Sequence, residues 1–323
     1  MNALTLGTAC RAAFARHETF HPRYSWLKKA FDQARQNPTV FSEEEAPIIL
    51  GVGKNMVHAI RYWAAAFKVL EERNLGGGRT QFEPTRLALN LLDESGWDPY
   101  LEDTASLWLL HWQLLQTPCL APVWWIAFNA FPAQQFTEST LFSWSVRMVQ
   151  AVSPWQRVVD SSIKKDITCV IRMYARRRSE SEVLEDMLDC PFRELGLLEP
   201  ILGAPHEFRF AVGAKRNLPD AVIAYSALDF VSRNANAAKS ITTARLAADV
   251  GSPGRLFKLS EQAIVAALER VSEATEGMTI VTQGGLKQVL VEGDVDQLAE
   301  DLLRHYYERS PAAEATSSLA VAV

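Results

Sequence analysis

Between Glu43 and Glu72 the apolar residues Met56, Ile60, Trp63, Phe67 and Leu70 recur at steps of three and four. That period puts them on one face of a helix of about 3.6 residues per turn. Lys54, His58, Arg61 and Lys68 fall on the opposite face, with Asn55 beside Lys54 at its start. A shorter helix precedes it, because Ser42 and Glu45 have the spacing of a capping box. Gly51 and Gly53 supply the positive φ needed to leave that helix and enter the next. Together they predict a helix-turn-helix whose turn runs from Gly51 to Lys54. A basic stripe on an apolar-backed helix suits a major-groove reader, and it equally suits a solvated face.

Upstream, Trp26, Leu27, Ala30 and Phe31 form the apolar face of a helix that leaves Lys28, Lys29 and Arg35 outward. Downstream, Gly76 to Gly78 predict a loop, Thr80 to Glu83 a short strand, and Thr85 the N-cap of another helix. Helix, helix and a glycine-tipped extended segment is the order of a winged helix, with Arg73 and Arg79 on the wing. The order recurs near the C-terminus. A helix around Thr243 to Val250 meets the turn Gly251-Ser252-Pro253-Gly254, and Ser260 caps a helix packed by Ile264, Leu268 and Val271. Met278 to Val291 then reads as two strands around Gly284-Gly285. The outward face of this second copy carries Gln262, Glu269 and Glu273, an acidic face that should repel phosphate, so protein contacts or scaffolding are expected there.

Seven of the nine tryptophans lie between Ser95 and Trp155, among aliphatic residues, which predicts core packing of a helical middle domain. From Ile163 to Arg178, Ile163, Ile167, Val170, Ile171 and Tyr174 define another core face. Lys165, Arg172 and Arg176 line a different side, extended by Arg177 and Arg178. These cations suit a phosphate contact or pairing with the acidic run Glu180 to Asp189. The expected fold is mainly α with small β-hairpin wings. It comprises an N-terminal winged-helix DNA-binding module (1–94), an aromatic-rich helical middle (95–240), a C-terminal winged-helix-like module (241–309) and a disordered tail (310–323).

Composition narrows the class. With 48% hydrophobic and 22% charged residues the chain is globular, and its richest apolar stretch, Leu107 to Phe131, is too interrupted by polar residues and prolines to span a membrane. No apolar leader with a cleavage site opens it, so a cytoplasmic protein is expected. Cys10, Cys119, Cys169 and Cys190 are widely spaced without a CxxC pair, as buried thiols would be. The net charge of −5 argues against binding nucleic acid by bulk charge, yet residues 1–80 carry 11 Lys+Arg against 7 Asp+Glu. Residues 81–160 carry 3 against 8. The positive field is therefore local to the N-terminal stretch.

His17-Glu18-Thr19-Phe20-His21 matches HExxH, the zincin signature, but Pro22 disfavours helical backbone at His21. No ExK pair behind a suitable aspartate, HNH-like run, paired HxK or GxxxxGK[ST] loop is present, so neither a nuclease motif nor an ATP site stands out.

Two elements carry a resemblance. The first is Arg16, His17, Thr19, Phe20, Arg23, Trp26, Leu27, Lys28 and Lys29, in the pattern RHxTFxxRxxWLKK. The second is Gly51 to Val57 with Ile60, Arg61 and Trp63, in the pattern GVGKNMVxxIRxW. Gly251 to Leu259, GSPGRLFKL, extends the likeness towards the C-terminus. Together they resemble a bacterial family encoded in phage-defence islands beside DNA phosphorothioation genes, whose members include the SspB-type, DNA-nicking component of single-strand systems. The resemblance implies binding of double-stranded DNA and Mg²⁺-dependent nicking of one strand so that sulfur can be installed. It also implies partnership with sulfur-transfer and ATPase proteins. On this reading Arg23, Lys28, Lys29, Lys54, Asn55, His58, Arg61, Lys68 and Arg79 contact DNA. If the chain cuts, the cluster near the basic helix is the expected site. Glu18 would hold Mg²⁺, His17 would activate water or protonate the leaving oxygen, and Arg16 and Arg23 would stabilise the developing charge. A structural alternative keeps His17 buried and leaves the arginines as phosphate clamps. The corresponding functional alternative is a non-catalytic adaptor that targets the sulfur-transfer complex to DNA.

Overall fold

The computed structural model describes residues 4–76, 79–175, 190–204, 206–234 and 239–309, with the side chains of Leu75 and Arg79 outside that description. Arg176, Arg177, Arg178, the run Glu180 to Asp189 and the tail 310–323 also lie outside the described residues. The structure is mostly helical with small antiparallel sheets, and the chain divides into two units. One is Met1–Leu101 with Gln113–Phe210, the other Glu102–Trp112 with Ala211–Val323. The boundaries expected at 94 and 240 follow composition, whereas each unit draws on two separate stretches of chain. No helix among the described residues is long and apolar enough to cross a membrane.

The first unit opens with α1 (Leu6–Ala9) and α2 (Tyr24–Gln36), followed by α3 (Ala46–Leu50) and α4 (Lys54–Ala66). On α2, Trp26, Leu27, Ala30, Phe31 and Ala34 are buried, as the period of three and four requires. Gly51 takes φ +62° and turns the chain from α3 towards α4. Gly53 does not share that role: its φ of −67° is one that any residue adopts. The expected capping box is also absent, since Glu45 occupies the N-cap of α3 without a side-chain hydrogen bond and Ser42 ends a separate 3₁₀ turn. Pro47 in the first turn of α3 fixes that start instead.

Helix α4 stops at Ala66, earlier than its apolar stripe suggests. Lys68 takes φ +57°, its N–H reaches Ala65 O and Val69 N–H reaches Ala64 O, which closes the helix end. Phe67 and Leu70 are still buried, but Leu70 already belongs to β1 (Leu70–Gly76), which pairs antiparallel with β2 (Arg79–Pro84). Thr85 caps α5 (Arg86–Leu92), its hydroxyl accepting from Ala88 N–H at 3.2 Å. The remainder of the unit holds α7 (Pro122–Trp125), β3 (Gln135–Thr137), α8 (Glu138–Gln150), α9 (Asp160–Tyr174), β4 (Leu198–Pro200) and β5 (Glu207–Phe210). Its three strands are ordered β3-β5-β4.

Between the two lists falls α6 (Thr104–Leu114), whose first nine residues, Thr104 to Trp112, belong to the second unit. That unit continues with α10 (Asp220–Asn234), β6 (Ser240–Thr242), α11 (Thr243–Ala248), α12 (Pro253–Phe257), α13 (Glu261–Ala274), β7 (Met278–Gln283), β8 (Leu286–Val291) and α14 (Val295–Glu308). The sheet order is β6-β8-β7, and Gly284 and Gly285 make the expected hairpin turn with φ of +59° and +79°. Pro253 and Gly254 are not turn residues: Ser252 is the N-cap, and both lie in the first turn of α12. Gly254 is required there, since an added Cβ would meet Ala247 O at 2.2 Å. Seven of the nine tryptophans are buried, including Trp63, Trp108, Trp112 and Trp124. Most tryptophans of the aromatic middle therefore pack cores, while Trp97 and Trp144 are half-buried.

Candidate nucleic-acid interface

Helix α4 separates two faces. Val57, Ile60, Trp63 and Ala64 are buried, and Met56 is half-buried at the edge. Lys54 and Asn55 are exposed and His58 and Arg61 half-buried, and none of the four has a hydrogen-bond or ion-pair partner among the described residues. Gly53 at the N-cap carries no side chain to satisfy the first-turn N–H groups. A helix start of this kind, with a lysine at its first position, presents donors and positive charge to an oxyanion. Beside it, Ile48 on α3 is 82% exposed.

Three other cations expected to meet DNA are committed internally. Lys28 is buried and its ammonium contacts Asp32 and Glu94, each at 2.7 Å, so that burial, which opposes its charge, is outweighed by two carboxylates. Lys29 donates to Leu50 O at 2.8 Å, capping the last carbonyl of α3. Lys68 is not on the α4 face at all. Its Nζ donates to the carbonyls of Gln113 at 3.0 Å, Gln116 at 2.7 Å and Pro118 at 3.4 Å. Arg23 is the N-cap residue of α2, with its guanidinium 5.5 Å from the Trp26 ring centre. Arg79 lies on β2, its side chain outside the described residues.

The segment preceding α2 is a turn, not the helix that HExxH chemistry needs. Ala15, Glu18 and Thr19 all take positive φ, at +54°, +50° and +70°. His17 is completely buried, and its Nε2 lies 2.8 Å from Asp166 Oδ1 on α9. Ala15 N–H donates to the same oxygen at 2.8 Å. The imidazole stacks on Trp63 at 5.9 Å and meets Trp124 edge-on at 5.6 Å, while Trp63 Nε1 donates to Phe20 O at 2.9 Å. Burial pushes the Asp166 carboxyl up, against the opposing pull of His17 and the Ala15 N–H. His17 Nδ1 and Asp166 Oδ2 have no hydrogen-bond partner among the described residues.

The turn is thus pinned to α9 and α4, with Arg16 and Glu18 exposed on either side of the buried ring. A histidine so enclosed cannot hand a proton to a solvent-exposed phosphate from this position; it orders the turn. Sequence reasoning placed His17, Glu18 and Arg16 together but missed Asp166. Its signal was available: in Ile163, Asp166, Ile167 and Val170 an aspartate interrupts the apolar face of a helix. Among the described residues no group of three His, Cys, Asp or Glu side chains is arranged to hold a metal ion. Lone Glu18 could supply one oxygen to Mg²⁺, which commonly completes its shell with water and substrate phosphate.

Comparison with solved structures gives two matches that span 95% of this chain and 92% of the matched chain. One is a magnesium ion-bound SspB crystal structure, at 41% sequence identity and a TM-score of 0.88. The other is an SspB crystal structure, at 42% identity and a TM-score of 0.87. No curated protein matches. The model of the DUF4007 family, described as a protein of unknown function, matches residues 14–307, and the chain belongs to that family.

Proposed function

We propose that the chain is the DNA-engaging component of a phosphorothioation-based phage-defence system and nicks one strand of duplex DNA with Mg²⁺. What carries this reading is the likeness to SspB, 41% identical over 95% of the chain, with the relative's magnesium ion as support for the cofactor. Helices α3 and α4 followed by the β1–β2 hairpin have the order of a winged helix. On this reading Lys54, Asn55, His58 and Arg61 meet DNA, and Arg16 and Arg23 clamp phosphate near Glu18. In the second unit β6, the three helices α11 to α13 and the β7–β8 hairpin have the order of a second winged helix, which contacts the sulfur-transfer or ATPase proteins. Mg²⁺ would polarise the scissile phosphate, Glu18 would supply one ligand, and the chain's own contribution is to hold the backbone in register.

The burial of His17 favours a second reading, a non-catalytic adaptor that brings the sulfur-transfer machinery to DNA. Incubating the purified protein with supercoiled plasmid in Mg²⁺, Mn²⁺ or EDTA separates them. The nickase yields metal-dependent open circles without linear DNA, slowed by Glu18→Ala. Intact plasmid beside a normal gel shift establishes the adaptor. Unchanged nicking by Glu18→Ala moves the metal site elsewhere.

A further inference from the structure

All four cysteines are free and buried, but two of them are neighbours in space although 109 positions apart. Cys10 and Cys119 are partners in an isolated parallel β-bridge. Arg11 N–H donates to Cys119 O at 2.9 Å and Cys119 N–H to Ala9 O at 2.8 Å, which locks the register on both sides. Bridge partners in neighbouring strands point their side chains to the same face, with backbones about 4.8 Å apart. That spacing falls inside the window of about 4.4–6.8 Å that a disulfide spans.

We infer that Cys10 and Cys119 are an oxidative modification site, a reduced thiol pair placed to close into a disulfide on reaction with a peroxide. Residue Cys10 is 7% exposed and Cys119 fully enclosed, so an oxidant approaches the pair from the Cys10 side. Burial, and then the bond to Cys119, push the Cys10 thiol up. At Cys119 burial acts in the same upward direction but is outweighed by the Cys10 bond, the Ala121 N–H and nearby Lys68, which together hold that thiol down. Acidity makes Cys119 the thiolate of the pair; position alone gives Cys10 the first step, which its raised pKa makes slow. Cys10 sulfur attacks one peroxide oxygen and the O–O bond breaks; one water leaves and Cys10 becomes a sulfenic acid. The Cys119 thiolate then attacks the Cys10 sulfur, the S–O bond breaks, and the departing hydroxide takes up the proton Cys119 lost. Two thiols are oxidised and one hydrogen peroxide is reduced to two waters.

The bond would clamp Ala9–Arg11 to the segment that Lys68 holds through the Gln116 and Pro118 carbonyls, fixing the base of the turn that carries Arg16 and Glu18. This inference does not depend on the DNA reading. The test exposes the folded wild-type protein to hydrogen peroxide, alkylates it in denaturant and maps the peptides by mass spectrometry, with and without dithiothreitol. A Cys10–Cys119 cross-linked peptide is expected, with two of the four thiols lost and both restored by dithiothreitol. Cys119→Ser should leave Cys10 as a trappable sulfenic acid. The inference is overturned if Cys10 oxidises without cross-linking in the wild type. It is equally overturned if Cys10 and Cys119 remain alkylatable while Cys169 or Cys190 reacts, or if the cross-link forms only in unfolded protein.

Discussion

A cation's value to a ligand depends on what else holds it, and the lysines and arginines of the first unit divide on that ground. Lys54 and Arg61 have no partner among the described residues, so each can neutralise a phosphate without breaking an internal bond. Lys54→Ala and Arg61→Ala should each weaken DNA binding and lower the slope of log K against log salt by about one unit, read by titration at several salt concentrations. An unchanged slope in both would remove α4 from the interface. Lys68 should behave otherwise. It adopts a left-handed backbone that favours glycine, and its ammonium serves three carbonyls, one in the last turn of α6 and two in the segment after it. Lys68→Ala should cost about 2–3 kcal/mol in denaturant unfolding, because those carbonyls lose their donor while the strained φ stays. Its salt slope should match the wild type. The sequence shows the basic stripe of α4 through its period alone. It cannot show that Lys28 and Lys68 are occupied, because Glu94 and Gln116 lie 66 and 48 positions away.

At the level of elements, periodicity predicts which faces are buried better than it predicts where a helix ends. Glycine and proline signals locate the α3–α4 turn and the β7–β8 hairpin, where Gly51, Gly284 and Gly285 have the positive φ that only glycine takes without strain. The end of α4 was hidden because a lysine, not a glycine, takes the left-handed position. Gly254 shows the converse, a glycine needed for space and not for its dihedral. Helices α11 and α12 pass so closely that a methyl group would overlap Ala247 O, a backbone atom unable to rotate away. Gly254→Ala should therefore destabilise the second unit by about 3 kcal/mol, near the upper end for overpacking a core. Gly284→Ala meets no atom within 4 Å and incurs only the strain of φ +59°, about 1 kcal/mol. Chemical denaturation of the two variants side by side tests the ranking. Equal losses would mean that α11 and α12 separate readily to admit the methyl group.

For the molecule as a whole, the division into units was the least legible feature, because composition changes along the chain while packing ignores chain order. The helical segment Thr104 to Trp112 lies within the aromatic middle of the sequence but supplies Trp108, His111 and Trp112 to the second unit's core. Each is anchored there: Trp108 Nε1 donates to Asn217 O at 3.0 Å, Trp112 Nε1 to Asp229 at 2.7 Å, and His111 Nε2 to Leu256 O at 2.9 Å. This inserted segment gives the second unit a specific sensitivity to acid. Burial lowers the His111 pKa from 6.5 to about 4, so the folded unit keeps the imidazole neutral where an unfolded chain would protonate it. A depressed folded pKa contributes stability that is fully present above pH 6.5 and is lost as the pH falls towards 4. Across that window the loss is about 3 kcal/mol. Denaturant unfolding followed through the second unit's tryptophans should lose that stability between neutral and acid pH. His111→Gln retains a donor for Leu256 O and should flatten this component of the profile. If the variant and the wild type lose stability in parallel, carboxylates and not His111 govern the acid response, and the inserted segment is no more acid-sensitive than its surroundings.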